Sequence, residues 1–397
     1  MKKIPLMDLK RQYKQIKEPV KQKIDEVLES GHFIMGNNVK EFELKMSEYL
    51  KAKYIISVGN GTDALVIALK ALGIKEGDEI ITPAMSFFAT AEAITTVGAT
   101  PVFVDIEEDY HTLDPQKIEE KITSKTKAIL PVHLYGQASD INAINQIAKQ
   151  YNLYVIEDAA QAIGGTYKGK KICTLSDIAA VSFFPTKNLG CYGDGGMIIT
   201  NNEKLATICK ALRVHGSGIY GKKAFQYLHP DTKEIKPHDE YIEQFQETKY
   251  YNSINGYNSR LDEIQAAILN VKLPYLQEWN ARRRAIARKY SKEIKNDLIV
   301  LPKEREESNH VYYVFPIMIK GDREIMKTYL EEKGIGTGIY FPIPLHLQRV
   351  FESQGYKKGD FPNAEKLAEQ GMTIPIYPEL AEEEVNYIIR VINEYVK

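Results

Sequence analysis

The chain has 397 residues and a formal net charge of -1, with 44% hydrophobic and 26% charged residues. That composition excludes a disordered or collagen-like chain. The near-zero charge gives no electrostatic footprint for nucleic acid or an anionic membrane, so neither is expected as a partner.

In chain order, apolar residues at helical spacing (Ile16, Val20, Ile24, Val27, Leu28) predict an amphipathic helix within residues 1–30, stopped at Gly31. A second helix is expected over 39–49. Strands and helices then alternate. Strands are predicted over 54–58, 79–82, 101–105, 128–132 and 153–156, and helices over 64–72, 89–97 and 141–151. This alternation implies an α/β fold with a mostly parallel sheet covered on both faces. Two further strands, 181–184 and 197–200, flank Pro185, Lys187 and a glycine-dense loop over 190–196. A helix over 261–294 is expected to kink at Pro274. Its Arg282-Arg283-Arg284 run reads as a solvated face. A strand over 311–319 and helices over 323–333 and 381–395 complete the chain. The division is placed between a large domain, 1–270, and a small C-terminal α/β domain, 271–397. Residues 217–255 form a polar, tyrosine-rich insertion, expected to pack near a site mouth as a lid or dimer contact.

The N-terminal MKKIPLMDLKRQYKQ has no apolar core of a secretory leader, and no run approaches the ~18 residues of a membrane span. A cytoplasmic location is therefore expected. The three cysteines, Cys173, Cys191 and Cys209, are odd in number and lack metal-ligand spacing. They read as reduced thiols, with Cys191 lying in the glycine loop, where it could line a site.

Several residues suit one chemistry. A lysine between two buried strands, beside glycines that admit another molecule, is an unusual placement for Lys187. A desolvated lysine amine becomes nucleophilic toward carbonyls. Gly59-Asn60-Gly61-Thr62 is by itself an ordinary strand–turn–helix connection, yet a helix N-terminus there suits a phosphate, with Thr62 as its cap. Asp158 ends an apolar strand, where parallel sheets place ligand-binding groups. It would keep a pyridine nitrogen protonated. Gln161 suits a ring hydroxyl, Phe87 or Phe88 a flat ring, and Ser182 a phosphate. Together these describe a pyridoxal 5′-phosphate site. A nicotinamide site is disfavoured because GNGT is not a G-x-G-x-x-G fingerprint.

The motifs GNGTDAL, TPAMSFFATAEAI, PVHLYGQ, VIEDAAQAIG, SFFPTKNLGCYGDGG, GYNSRLDEIQAAIL and FPIPLHLQ, in this order, resemble those of the nucleotide-sugar aminotransferases. These are a branch of the fold-type-I, aspartate aminotransferase-like pyridoxal-phosphate enzymes. The resemblance implies that Lys187 holds the cofactor covalently and that Asp158 pairs with its ring nitrogen. It implies Gln161 on the ring oxygen, Phe87 stacked on the ring, and Gly61, Thr62 and Ser182 on the phosphate. Asn258 would reach the phosphate of a second subunit, giving a homodimer with shared active sites. Arg260, Tyr340 and His346 would approach the nucleotide sugar. L-Glutamate is the expected amino donor, with pyridoxamine 5′-phosphate as the intermediate cofactor form. Lysine rather than histidine at 187 favours transamination over sugar dehydration. The sequence after Lys187 is more similar to enzymes acting on 3-keto sugars than on 4-keto sugars. A dTDP-3-keto-6-deoxyhexose is the first substrate expected, and a UDP-linked 3-keto N-acetylhexosaminuronic acid the second.

Overall fold

The structure, a computed structural model, describes residues 3–231 and 247–396. Helix α1 (Leu9–Ser30) falls within the expected span 1–30 and starts where Asp8 caps it, accepting from the Lys10 and Arg11 amides. Helix α2 (Asn37–Leu50) follows. Strand β1 (Tyr54–Val58) leads into helix α3 (Gly61–Ala71). Then come β2 (Glu79–Pro83), α4 (Ala89–Thr96), β3 (Thr100–Val104), β4 (Thr126–Ile129), α5 (Ile141–Tyr151) and β5 (Tyr154–Asp158). The short strands β6 (Thr166–Tyr167) and β7 (Lys170–Lys171) precede β8 (Ile178–Ser182) and β9 (Gly196–Thr200).

Seven strands form one sheet in the order β1-β9-β8-β5-β4-β2-β3. Its β3-β2-β4-β5-β8 run is parallel, and β9 is antiparallel to both β8 and β1. Successive side chains leave a strand on opposite faces. Ile56, Ile80 and Ile198 thus enter one buried cluster, and Ile55, Ile81 and Ile199 the other. Helix cover on both faces explains why these strands read as continuous apolar runs.

Helices α6 (Glu203–Leu212) and α7 (Gly218–Leu228) come next. The expected insertion therefore opens with a helix. Its described ends are tied together, with Gly218 N donating to Tyr251 O (3.1 Å) and Ser253 N to Gly216 O (2.9 Å). The lid or dimer role falls partly on 232–246, outside the described residues. The long helical stretch is divided at Pro274 as expected. Helix α8 (Glu263–Lys272) and α9 (Leu276–Glu293) are joined by a 3-10 turn.

Strands β10 (Ile299–Val300), β12 (Phe315–Ile319) and β13 (Gly371–Ile374) form a second, antiparallel sheet, and β11 (Ser308–Asn309) pairs with β6. Helices α10 (Arg323–Glu332), α11 (Pro362–Gln370) and α12 (Glu382–Glu394) accompany them. The strand expected over 311–319 is shorter because the loop around Tyr135 captures its start. Val311 N donates to Gly136 O and Tyr313 N to Tyr135 O. The arginine run also differs from its reading as a solvated face. Arg283 is 4% exposed and donates to Ile376 O at 2.6 Å. It shares a helix face with buried Trp279, Ile286 and Tyr290.

One carboxylate joins distant parts of the large unit. The first turn of α2 follows Gly36, which offers no side-chain cap. Glu263, buried at the start of α8, supplies it. Its Oε2 accepts from Asn38 N (2.9 Å) and its Oε1 from Val39 N (3.0 Å). Glu263→Ala would strand these donors and is expected to cost about 2 kcal/mol. A lower urea midpoint would register the loss, and an unchanged midpoint would contradict it.

Candidate active site

The site lies at the C-terminal ends of β5 and β8 and at the N-terminus of α3. Asn60, not Thr62, caps that helix, accepting from Asp63 N at 2.8 Å. Thr62 is thereby left half-buried in the first helical turn. Gly61 approaches β8 so closely that a Cβ there would lie 2.6 Å from Ser182 Cβ. Only glycine allows that approach. The N-terminal amides of α3 and the Ser182 hydroxyl therefore meet at one small volume, a ready anion cradle.

Asp158 is 4% exposed. Its Oδ2 accepts from Thr90 Oγ1 (2.8 Å) and its Oδ1 from Ala160 N (3.1 Å). Burial raises its pKa, while these hydrogen bonds and the charge of Lys187 pull it down. The preceding residue faces the other way. Glu157 is fully buried and accepts from Cys173 N, Leu175 N and Ser176 Oγ. His133 Nδ1 accepts from Ser139 N, so Nε2 carries the proton and donates to Glu157 at 2.9 Å. This network fixes the end of β5 from behind.

Lys187 sits in a turn closed by its own amide on Phe184 O (2.8 Å). Its neighbours hold the turn in place. Thr186 Oγ1 lies 3.1 Å from Tyr313 OH, and Asn188 Nδ2 donates to Asn280 Oδ1 (2.7 Å) and Val311 O (3.0 Å). Lys187 Nζ lies 4.3 Å from the centroid of the Tyr313 ring. Burial lowers its pKa to about 8, against the opposing pull of Asp158. About a tenth of the amine is thus neutral at pH 7, far more than for an ordinary lysine.

Tyr313 meets Tyr340 edge-on, with ring centroids 6.3 Å apart, and the Tyr135 hydroxyl donates to Tyr340 O. Tyr135 N donates to Gln161 Oε1 at 2.7 Å, which leaves the Gln161 amide group to donate elsewhere. Phe87 is 56% exposed, and its ring lies 5.6 Å from that of Phe341. Gly61, Thr62, Ser182, Asp158, Gln161, Lys187, Phe87 and Tyr340 therefore share one neighbourhood. Tyr313, Tyr135 and Thr90 are additions that sequence reasoning missed.

Other expected residues lie apart. Asn258 is exposed, on backbone bridged to Val214. Half-buried Arg260 starts beside Gly59. His346 does not face this group. Its side chain is fully buried, with Nε2 on Glu365 Oε1 (3.1 Å) and its ring edge-on to Phe361. Leu345 N, bonded to Ala84 O at 2.7 Å, anchors it in that position. Cys191 is also buried, and burial raises its thiol well above the usual range, which leaves it inert. Among the described residues no helix is long and apolar enough to cross a membrane, and no cluster of metal-binding side chains occurs.

Comparison with known proteins places this geometry. The DegT/DnrJ/EryC1/StrS aminotransferase family matches residues 14–393. The chain is 47% identical to a pleiotropic regulatory protein of Geobacillus stearothermophilus, over 99% of this chain and 98% of that one. It is 42% identical to dTDP-3-amino-3,6-dideoxy-alpha-D-galactopyranose transaminase of Aneurinibacillus thermoaerophilus, over 99% of both. It is 41% identical to UDP-2-acetamido-2-deoxy-3-oxo-D-glucuronate aminotransferase of Pseudomonas aeruginosa, over 95% of this chain and 96% of that one. Among solved structures, DesV of S. venezuelae, in complex with a ketimine intermediate, superposes with a TM-score of 0.89 at 35% identity, covering 100% of both chains. NtdA of Bacillus subtilis, with bound cofactor PMP, gives 0.84 at 36% identity, over 99% of this chain and 85% of that one. The chain belongs to the DegT/DnrJ/EryC1/StrS aminotransferase family, with the fold and the pyridoxal phosphate cofactor of its sugar aminotransferases.

Proposed function

We propose that this enzyme transfers an amino group from L-glutamate to carbon 3 of a 3-keto nucleotide sugar, a dTDP-linked 3-keto-6-deoxyhexose. One observation carries the reading: a lysine amine lowered to about 8 and a buried carboxylate act on each other beside an anion cradle. Identity of 42% to a dTDP-3-amino sugar transaminase supports the substrate class.

The residues fit pyridoxal phosphate. Helix amides at Gly61, with Thr62 and Ser182, would hold its phosphate. Phe87 would stack on the ring, Gln161 would donate to the ring oxygen, and Asp158 would face the ring nitrogen. Asn258, exposed on its own chain, would complete the phosphate site of a second copy, making the enzyme a homodimer with shared active sites. The bound cofactor supplies an electron sink for the pair released when a C–H bond beside the amine ionises. Lys187 removes the proton from the glutamate α-carbon in one half of the cycle. It delivers a proton to carbon 3 of the sugar in the other. The Tyr313 ring, 4.3 Å from its amine, covers one side of it. Asp158 keeps the ring nitrogen cationic. Tyr340 and Arg260 would contact the sugar nucleotide.

Gly61→Ala places a methyl group against Ser182, so α3 and β8 must part and the cradle must open. Such overpacking is expected to weaken cofactor binding about tenfold. Titration of the apoprotein by visible absorption measures it, and wild-type affinity would contradict the assignment.

A second reading is a UDP-linked 3-keto N-acetylhexosaminuronate, favoured by the relative at 41% identity. Arg260 would then meet the sugar carboxylate. A panel of dTDP- and UDP-linked 3-keto and 4-keto sugars, incubated with glutamate and read by mass spectrometry, tests both. Amination of the dTDP-3-keto sugar is expected. Amination of 4-keto sugars alone, loss of water instead of gain of an amine, or no turnover of any member would overturn the proposal.

A further inference from the structure

We propose that Thr90, backed by Ser86, is a positioning residue that holds Asp158 ionised and aimed at the ring nitrogen of the cofactor. This inference rests on the role given to Asp158 above. Ser86 and Thr90 are 3% and 1% exposed, the first just before α4 and the second in its first turn. Thr90 Oγ1 lies 2.8 Å from Asp158 Oδ2, and Ser86 Oγ lies 2.7 Å from Thr90 Oγ1.

The order of the hydrogens follows from counting. An ionised carboxylate only accepts, so Thr90 donates its single hydroxyl hydrogen to Asp158. The Ser86 hydroxyl must then donate to Thr90. This arrangement polarises the Thr90 O–H toward the carboxylate, which strengthens its bond to the charged form. Were Asp158 protonated at Oδ2, that oxygen would become a donor and both hydroxyls would have to turn; protonated at Oδ1, it would leave Thr90 a weaker, neutral acceptor. Two buried hydroxyls thus favour the anion, where burial alone disfavours it. The same five residues, 86–90, carry Phe87. One short segment therefore sets both the carboxylate and the aromatic ring. Ala160 N occupies the other oxygen (3.1 Å), so Thr90 and Ala160 together fix the carboxylate plane.

The test uses holoenzyme reconstituted with cofactor labelled with 15N in the ring, and reads the protonation of that nitrogen by NMR. Thr90→Val should move the signal toward the unprotonated form and weaken cofactor binding about 10- to 100-fold. Thr90→Ser should restore both to near wild type. Ser86→Ala should shift the signal in the same direction by a smaller step, and it carries the test if Thr90→Val fails to fold. A wild-type signal in folded Thr90→Val or Ser86→Ala, or a Thr90→Ser variant as altered as Thr90→Val, would overturn the inference. Asp158→Asn separates the two claims. If it leaves the signal unmoved, the role of Asp158 fails. If it moves the signal while Thr90→Val does not, only the role of Thr90 fails.

Discussion

Lys187→Ala is expected to lower turnover by about three orders of magnitude, the scale of losing a positioned acid–base group. It is also expected to release the cofactor on dialysis, so the protein loses its yellow colour. The physical reason lies in the turn around Lys187. Thr186 and Asn188 are pinned on either side, and Tyr313 forms a wall 4.3 Å from the amine. No other described lysine lies beside both Asp158 and the phosphate cradle. The fold should survive, since alanine leaves the flanking hydrogen bonds in place. Unfolding midpoints of the two apoproteins check this. The pH dependence has a definite sign. The folded amine lies at about 8, below the ordinary lysine range, because burial disfavours the cation. Below that value the ammonium form dominates and cannot attack a carbonyl. Cofactor uptake by wild-type apoprotein should therefore rise about tenfold per pH unit up to pH 8 and level above it. A flat profile from pH 6 to 9 would contradict the assignment of Lys187.

Asp158→Asn is the second large effect. The substitution keeps the shape and removes the charge. A neutral amide cannot hold the ring nitrogen cationic, so both halves of the reaction slow. A loss of about 10²- to 10³-fold in kcat is expected, comparable to removing one preorganised charge-stabilising group. Cofactor should still be carried by Lys187, so the protein should remain yellow while turning over poorly. The amide must also rearrange against two donors, Thr90 Oγ1 and Ala160 N. A small loss of stability, about 1 kcal/mol, accompanies the change. Full activity in this variant would show that Asp158 is structural only.

Much of this arrangement was legible from local signals. Strands with both faces buried announce themselves as apolar runs with few polar breaks, as at Ile55–Val58, interrupted only by Ser57, and Met197–Ile199. The break at Pro274 and the glycine at 61 follow from backbone rules. Lys187 stood out because a lysine between buried strands is costly without a purpose. What was not legible depends on pairs far apart in the chain. Tyr313 meets Lys187 from a loop that reads as strand, because its first amides go to the Tyr135 turn. Glu263 caps α2 across more than two hundred residues. Arg283 had a usable signal, since it falls at i+4 from Trp279 and i-3 from Ile286, on the apolar face of α9. Asn60 likewise offered a better cap than Thr62, three residues before Asp63. His346 carried no local sign that Glu365 and Phe361 would enclose it.

A second lysine competes with Lys187 for the place of the cofactor-bearing amine. Lys272 is also fully buried and also lowered to about 8 by burial. Its Nζ donates to Gly190 O at 2.7 Å, lies 4.0 Å from the Tyr192 ring and feels the charge of Glu379 rather than that of Asp158. A low amine pKa therefore does not by itself choose between them, and the surrounding groups do. The most direct measurement is borohydride reduction of the holoenzyme, followed by proteolysis and mass spectrometry of the peptides. The pyridoxyl group is expected on Lys187 alone. Its appearance on Lys272, or on any other lysine, would contradict the account.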